Sequence, residues 1–303
     1  MKRAESIVPQ LRKLNPRVKI LADPSDPKTQ PPTFFSLFDI IIATDLDFPT
    51  IKLFNAAARL NSRPFYAAGV HGLYGYIFVD LILHDYVIER DKSNRPTRLM
   101  PESATRSIVG ATTKRGDDGK VKEILTKREI YNPIQLSNTS PLAPELLSRP
   151  RLLRKVTPLL SCFRALWEFE EMNDRYPGHS SSDLRMFTLL ATEKHRELQL
   201  PAETLKATVL RRFMQDLNGE LAPVTAFLGG HLAQDVINVL GKREQPIQNF
   251  LFFDGEEFEA PMYALHPIFA DDLQPSNGVN GFSMTVIRNG DSATGPSIAT
   301  VVE

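Results

Sequence analysis

Apolar residues switch between helical and extended spacing along the first part of the chain. Residues 2–13 have helical spacing, RVKIL at 17–21 predicts a short strand, and the unbroken apolar run FDIIIAT at 38–44 is typical of a central strand covered on both faces of a parallel sheet. Helical spacing returns over 48–61, and PFYAAGV at 64–70 predicts the next strand. This alternation predicts an α/β fold whose parallel strands are joined by right-handed crossovers.

Apolar spacing and charge change several times after residue 70, which predicts an organisation in four parts. The β pattern continues over 74–89, but residues 90–128 hold eleven basic and five acidic residues with frequent Ser, Thr, Pro and Gly, which favours a loop. Helical spacing dominates 144–217 and returns over 222–242. The predicted parts are an α/β domain of residues 1–90 and 220–267, a basic flexible insertion at 91–130, a mainly helical module at 131–219 and a disordered tail at 268–303.

Charge and cysteine content exclude several classes of protein. The 303 residues include 36 basic and 36 acidic side chains, and this balance argues against nucleic acid or an anionic membrane as the main partner. No apolar stretch approaches the ~18 residues of a membrane span and the N-terminus lacks a signal-peptide pattern, so we expect an intracellular protein. The single cysteine, Cys162, excludes a disulfide framework, and since no metal-ligand spacing is present we predict no metal site.

The glycines argue against a phosphate site at its usual place. In doubly wound α/β domains the phosphates lie on a glycine-rich turn after the first strand, but the first glycine here is Gly69. Gly69, Gly72 and Gly75 precede more β pattern, which favours a bend between strands over a dinucleotide fingerprint. Asp45 and Asp47 follow FDIIIAT, where α/β sheets place ligand-binding residues, although Asp47 fits an N-cap of the next helix at least as well.

Small residues interrupt the helix predicted over 222–242. Gly229 and Gly230 each cost about 1 kcal/mol relative to alanine inside a helix, so some close contact should offset that cost. Together with Ala233 and the adjacent Gln234, they are candidates for an interface or packing face, either within this chain or against a partner. Ligand contact is the weaker alternative because glycine brings no chemical group.

The remaining reactive side chains are predicted to be structural. Cys162 shares helical spacing with apolar residues and has no histidine near it in sequence, which favours a buried, inert thiol. His71, His84 and His231 lie inside structured segments, and a packing histidine is the more common interpretation for each of them.

Five segments taken together resemble a known family. They are LNPRVKI, FFSLFDIIIAT, GLYGYIFVDL, APVTAFLGGHLAQDVINVLGK and NFLFFDG, and they occur in the order found in the smaller subunits of heterodimeric SUMO-activating enzymes, here in a fungal-like form. The similarity runs from Met1 to about His266 and is weakest between 90 and 145. It implies a ThiF-type, Rossmann-like parallel sheet with an inserted helical module.

The resemblance also implies a division of labour between two subunits. The larger subunit binds ATP and magnesium, adenylates the C-terminal glycine of SUMO and passes it to a cysteine of its own, so we expect no catalytic residue, cofactor or metal in this chain. In the family's adenylation domains that bind ATP, the motif Asp-Asn-x-x-x-Arg follows this strand. Here Asp45 is followed by Leu46, so the resemblance implies that Asp45 occupies a degenerate nucleotide-binding position. The implied partners are the larger subunit in an obligate heterodimer and, through the complex, SUMO and its conjugating enzyme, in the nucleus and cytoplasm.

The start of the chain departs from the family pattern. Family members begin with a helix, a strand, a glycine-rich turn and a further helix, whereas residues 2–5 resemble the stretch that follows those elements. We therefore expect an N-terminally truncated domain in which FDIIIAT lacks a neighbouring strand.

Two alternatives for the function stay open: a truncated scaffold that binds the larger subunit without supporting activation, and the equivalent subunit for another ubiquitin-like modifier. A stand-alone adenylyltransferase is disfavoured by the missing glycine turn.

Overall fold

A computed structural model describes residues 3–93, 97–115 and 121–267. Its helices are α1 (Arg3–Leu14), α2 (Phe48–Leu60), α3 (Ile134–Thr139), α4 (Pro144–Leu147), α5 (Pro150–Leu153), α6 (Leu159–Asn173), α7 (Ser181–Glu197), α8 (Ala207–Asp216) and α9 (Ala222–Gly241). Its strands are β1 (Ile41–Thr44), β2 (Phe65–His71), β3 (Tyr74–Asp80), β4 (Leu83–Asp91), β5 (Arg106–Arg115), β6 (Val121–Ile130), β7 (Phe250–Asp254) and β8 (Met262–Tyr263). The tail predicted to be disordered lies outside the described residues.

The main sheet has five strands in the order β1-β2-β3-β7-β8. The α/β class is confirmed, but parallel pairing is limited to β1 and β2, and the other neighbours are antiparallel. The two-residue connection between His71 and Tyr74 is too short for a crossover, so β2 and β3 form a hairpin. Gly72 lies in this connection at φ +61, a backbone conformation that favours glycine.

The first strand lies at an edge rather than in the centre. Among the described residues β1 pairs with β2 alone, and the expected coverage of FDIIIAT on both faces is wrong. Ile42 is 46% exposed. The strand predicted at 17–21 is also wrong: this stretch contains no regular element, and its apolar residues Val18 and Leu21 are exposed.

The basic insertion was expected to be flexible, and for its described residues this prediction is wrong. Strands β4, β6 and β5 form a three-stranded antiparallel sheet. Charged side chains are tolerated there because they pair across the strands, as Arg106 with Glu129 and Arg90 with Glu123. Residues 94–96 and 116–120 of the insertion lie outside the described part of the chain.

The main sheet separates two cores. One core contains alternate strand residues such as Phe78 and Phe252 and is covered by α2, α6, α7 and α8, so the predicted helical module packs directly on the sheet. The other contains Tyr66, Ile77 and Leu251 and is covered by the buried stripe of α9. The two-residue period of the strands thus places the helical module and α9 on opposite faces. Among the described residues, none of the helices is both long and apolar enough to cross a membrane.

One buried carboxyl connects the helical module to the sheet domain. Glu170 of α6 accepts a hydrogen bond from the backbone N–H of Phe48, at 3.1 Å, in the first turn of α2. Burial raises the pKa of Glu170 to about 7, although the bond from Phe48 acts in the opposite direction. Asp47 and Glu171 add to the increase through like-charge repulsion.

Glu170→Gln is expected to change how stability depends on pH. Because the folded-state pKa of about 7 lies above the ordinary glutamate pKa of 4.5, the folded protein binds the proton more tightly than the unfolded chain. The wild type should therefore lose stability relative to the variant as the pH rises from 4.5 to 7, and the difference should be constant outside that window. Urea unfolding of both proteins across this range measures the difference, and parallel pH profiles would contradict the assignment.

Candidate interaction site on the last helix and the first strand

A cavity of about 290 Å³ opens between α9 and the carboxyl ends of β1 and β2. This is the edge of the sheet where α/β proteins bind ligands. Its lining is mostly apolar, with two carboxylic acids and no basic side chain: Ile42, Thr44, Asp45, Ala68, Gly69, Val70, Glu220, Thr225, Leu228, Gly229 and Leu232. This composition does not fit a triphosphate, since nothing in the lining supplies a positive charge and both acids would repel it.

The two aspartates after β1 have different roles. Asp45 lies at the cavity with φ +57, and its backbone N–H donates to the carbonyl of Ala68, so it turns the chain at the end of the strand. Asp47 is the N-cap of α2, where its carboxylate accepts from the Thr50 N–H at 2.8 Å. The N-cap prediction for Asp47 is confirmed. Among the described residues, no group of acidic, histidine and cysteine side chains is arranged to hold a metal ion.

The glycines of the predicted bend are explained by packing. A Cβ at Gly69 would lie 2.6 Å from the ring of Tyr76, and one at Gly75 would lie 2.3 Å from Leu228 of α9. Both distances are far below ordinary contact, so β2, β3 and α9 approach each other only because these side chains are absent. The bend between strands is confirmed.

The small residues of α9 lie on its exposed face. A Cβ at Gly229 or Gly230 would meet nothing within 4 Å among the described residues, so packing against that part of the chain does not explain these glycines. Ala233 and Gln234 are exposed as well. We call the following residues the α9 outer face, because helical spacing places them together: Ala226, Gly229, Gly230, Ala233, Ile237 and Leu240. Ile237 and Leu240 are 62% and 64% exposed, which is unusual for two large apolar residues on one stripe.

Replacing both glycines tests whether the outer face is free in the isolated chain. Gly229→Ala and Gly230→Ala are each expected to raise the free energy of unfolding by about 0.5–1 kcal/mol, because alanine favours the helix and its methyl group has open space. Gly75→Ala is the contrasting variant and should be destabilising, since its methyl group overlaps Leu228. Thermal unfolding of the three variants measures this, and destabilisation by the α9 changes would show that the face is covered.

Sequence comparison decides the family. The profile of the ThiF family matches residues 1–270, which is most of the chain. The chain belongs to the ThiF family. DNA damage tolerance protein RHC31 of Saccharomyces cerevisiae is 32% identical over 259 residues, covering 84% of this chain and 72% of that protein. DNA damage tolerance protein rad31 of Schizosaccharomyces pombe is 28% identical, covering 87% of this chain and 72% of its own length. The human protein named SUMO-activating enzyme subunit 1 is 25% identical, and the similarity covers 88% of this chain and 74% of that protein.

A buried aspartate holds α9 of this ThiF-family chain in place. Asp235 accepts hydrogen bonds from the Tyr66 hydroxyl at 2.9 Å and from the Ile247 N–H at 2.7 Å. Burial raises its pKa, while both bonds favour the charged form. No role was assigned to Asp235 from the sequence. Asp235 lies three residues after Leu232 and four before Val239, which are both buried. This helical spacing indicates that Asp235 shares their buried face.

The side chains predicted to be structural are buried or packed. Cys162 is fully buried, as predicted, and burial raises the pKa of its thiol. His71 lies among aromatic rings, accepts from the Asn218 N–H at 3.3 Å, and has a pKa lowered by burial to about 4. His231 packs against Phe227 on the surface of α9.

Proposed function

We propose that this chain is the smaller subunit of a heterodimeric SUMO-activating enzyme. The observation that carries the proposal is similarity over 84–88% of the chain to relatives that include a human protein named SUMO-activating enzyme subunit 1. In the proposed reaction the larger subunit uses ATP and magnesium to adenylate the C-terminal glycine of SUMO. It then transfers SUMO to its own cysteine as a thioester, from which the conjugating enzyme receives it.

In this proposal the chain itself performs neither chemical step. The apolar and acidic cavity beside Asp45 supports this, since its lining has two carboxylic acids and no basic side chain to pair with a phosphate. Cys162 does not suit a thioester, because a thiol with a raised pKa and no access to solvent is a poor nucleophile. The proposed contribution of this chain is to complete the paired architecture in which the larger subunit's site is active, within the nucleus and cytoplasm.

The α9 outer face and β1 are the proposed contact with the larger subunit. The outer face exposes Ile237 and Leu240 beside glycines and alanines, a combination that lets a partner's backbone approach closely and bury apolar area. Ile42 extends the apolar surface across the cavity to the edge of the main sheet. An edge strand with an exposed apolar residue is a surface that proteins normally cover.

Reconstitution tests the proposed function. This chain and a fungal larger subunit should co-purify as a one-to-one complex, and the complex should exchange ATP and pyrophosphate only when SUMO is added. Neither chain alone should do so. A stable complex without exchange would favour the alternative of a scaffold that competes for the larger subunit. Exchange with a different ubiquitin-like modifier but not with SUMO would assign the chain to that modifier instead.

A further inference from the structure

A second surface is suggested by the segment Arg149–Pro150–Arg151–Leu152–Leu153–Arg154–Lys155. Four of its seven residues are basic and none is acidic, in a chain whose formal net charge is zero. All four basic side chains are exposed. We call residues 148–155 the arginine segment. A local excess of one charge in a balanced protein points to a partner of the opposite charge.

The backbone of the arginine segment is held firmly. It includes the single turn of α5, which begins with hydrogen bonds from the Leu152 and Leu153 N–H groups to the Arg149 carbonyl. Leu153 packs against the core below it, and Val156 just beyond is buried. The arginines therefore project from a fixed base, which reduces the ordering cost of binding.

The charges of the arginine segment are almost unpaired within the described part of the chain. Arg154 lies 3.7 Å from Glu203, and both side chains are about two thirds exposed, so this ion pair is weak. Arg149, Arg151 and Lys155 form no ion pair with any described residue. By contrast, the basic residues of the three-stranded sheet, such as Arg106 and Arg128, have carboxylate partners at 2.7 Å. Internal pairing thus accounts for the charges of the sheet but not for those of the arginine segment.

The arginines surround an open cavity with an apolar component. Its volume is about 670 Å³, and its lining consists of Ser148, Arg149, Pro150, Arg151, Leu152 and Arg154. Leu152 is half-buried, and the aliphatic stems of the arginines add further apolar area. A ligand that matches this lining has carboxylates for the guanidinium groups and one apolar side chain for the cavity.

We propose that the arginine segment is a docking site for an acidic protein segment in which Asp and Glu residues flank one apolar side chain. Nucleic acid fits less well, because its phosphates form an extended lattice whereas these cations belong to one short segment around a single cavity. Leu146, Leu147 and Leu153 anchor the arginine segment to the core on the helical-module side of the main sheet, opposite α9. The proposed site is therefore separate from the proposed contact with the larger subunit.

Fluorescence anisotropy of the full chain tests this site. The probe is a labelled peptide of about twelve residues, acidic on both sides of a central leucine, and charge-assisted contacts of this kind predict binding that weakens as salt is raised. The variant Arg149→Glu/Arg151→Glu/Arg154→Glu should bind the peptide at least about tenfold more weakly. The matched control Arg185→Glu/Arg196→Glu/Arg211→Glu changes the net charge equally at exposed positions elsewhere and should bind within about twofold of wild type.

Two further arms keep the result interpretable. Replacing the central leucine of the peptide by glycine should weaken binding by several-fold, because the cavity loses its apolar occupant. If the glutamate variant folds poorly, Arg149→Gln/Arg151→Gln/Arg154→Gln repeats the comparison, because it removes the positive charges without introducing negative ones. Equal loss in the control variant would overturn the proposal, and so would a single-stranded oligonucleotide of equal charge binding more tightly than the peptide.

Discussion

Asp235→Ala is expected to lower the free energy of unfolding by about 3 kcal/mol, among the largest effects of any single substitution outside the apolar core. The carboxylate accepts from the hydroxyl of Tyr66, which is fully buried, and from the Ile247 N–H. Alanine leaves both donors without a partner, and each unsatisfied buried group costs about 1–3 kcal/mol. Urea unfolding followed by circular dichroism measures the change.

Two variants separate the lost hydrogen bonds from other effects. Asp235→Asn keeps an oxygen that accepts from Ile247 and should cost clearly less than alanine. Tyr66→Phe removes one donor instead of leaving it unpaired, so combining it with Asp235→Ala should recover part of the loss. If Asp235→Ala cost no more than the exposed change Gln234→Ala, the view that this aspartate holds α9 on the sheet would be refuted.

The elements that sequence reasoning located correctly are those whose own residues carry the signal. α2 follows from Asp47 as an N-cap and from helical spacing, and its observed start at Phe48 agrees. The buried stripe of α9 repeats at the helical period and lies against the sheet. Local patterns specify these elements, so no knowledge of distant partners is needed.

The elements that were missed depend on distant partners. β5 and β6 look like a polar loop in sequence, and their charges become compatible with a sheet only through pairs such as Arg128 with Asp85, 43 positions apart. β1 was predicted correctly as a strand, but its expected coverage on both faces was wrong, because that coverage depends on elements distant in sequence. The short stretch at 17–21 shows the reverse case, a strand-like pattern without a strand to pair with.

The candidate site shows the same division between local and distant information. Gly229, Gly230 and Ala233 were recognised as a small-residue face from sequence, but only the fold shows that this face is exposed among the described residues. The cavity beside Asp45 is formed by β1 and β2 together with α9, which begins about 150 residues after β2 ends. Its apolar and acidic lining could not be deduced from any one segment.

Ala233→Arg is expected to weaken association with the larger subunit by at least about 100-fold, equivalent to about 2.8 kcal/mol. Ala233 is exposed in the isolated chain, and arginine is nearly as good a helix former as alanine, so the folded subunit should tolerate it. In a contact built on close backbone approach, the long side chain would both overlap the partner and bury an unpaired charge. Co-purification and titration by light scattering measure the loss.

The matched control is Ala56→Arg, the same substitution at an exposed position of α2, on the opposite side of the main sheet. It should leave association and SUMO-dependent exchange unchanged, because its added charge stays in water. Gly230→Ala refines the comparison: one methyl group should stabilise the isolated chain, yet weaken the complex if a partner's backbone lies against the glycine. If Ala233→Arg and Ala56→Arg bound the larger subunit equally well, α9 would not be the contact, since a surface that accepts arginine without loss of affinity is not buried by the partner.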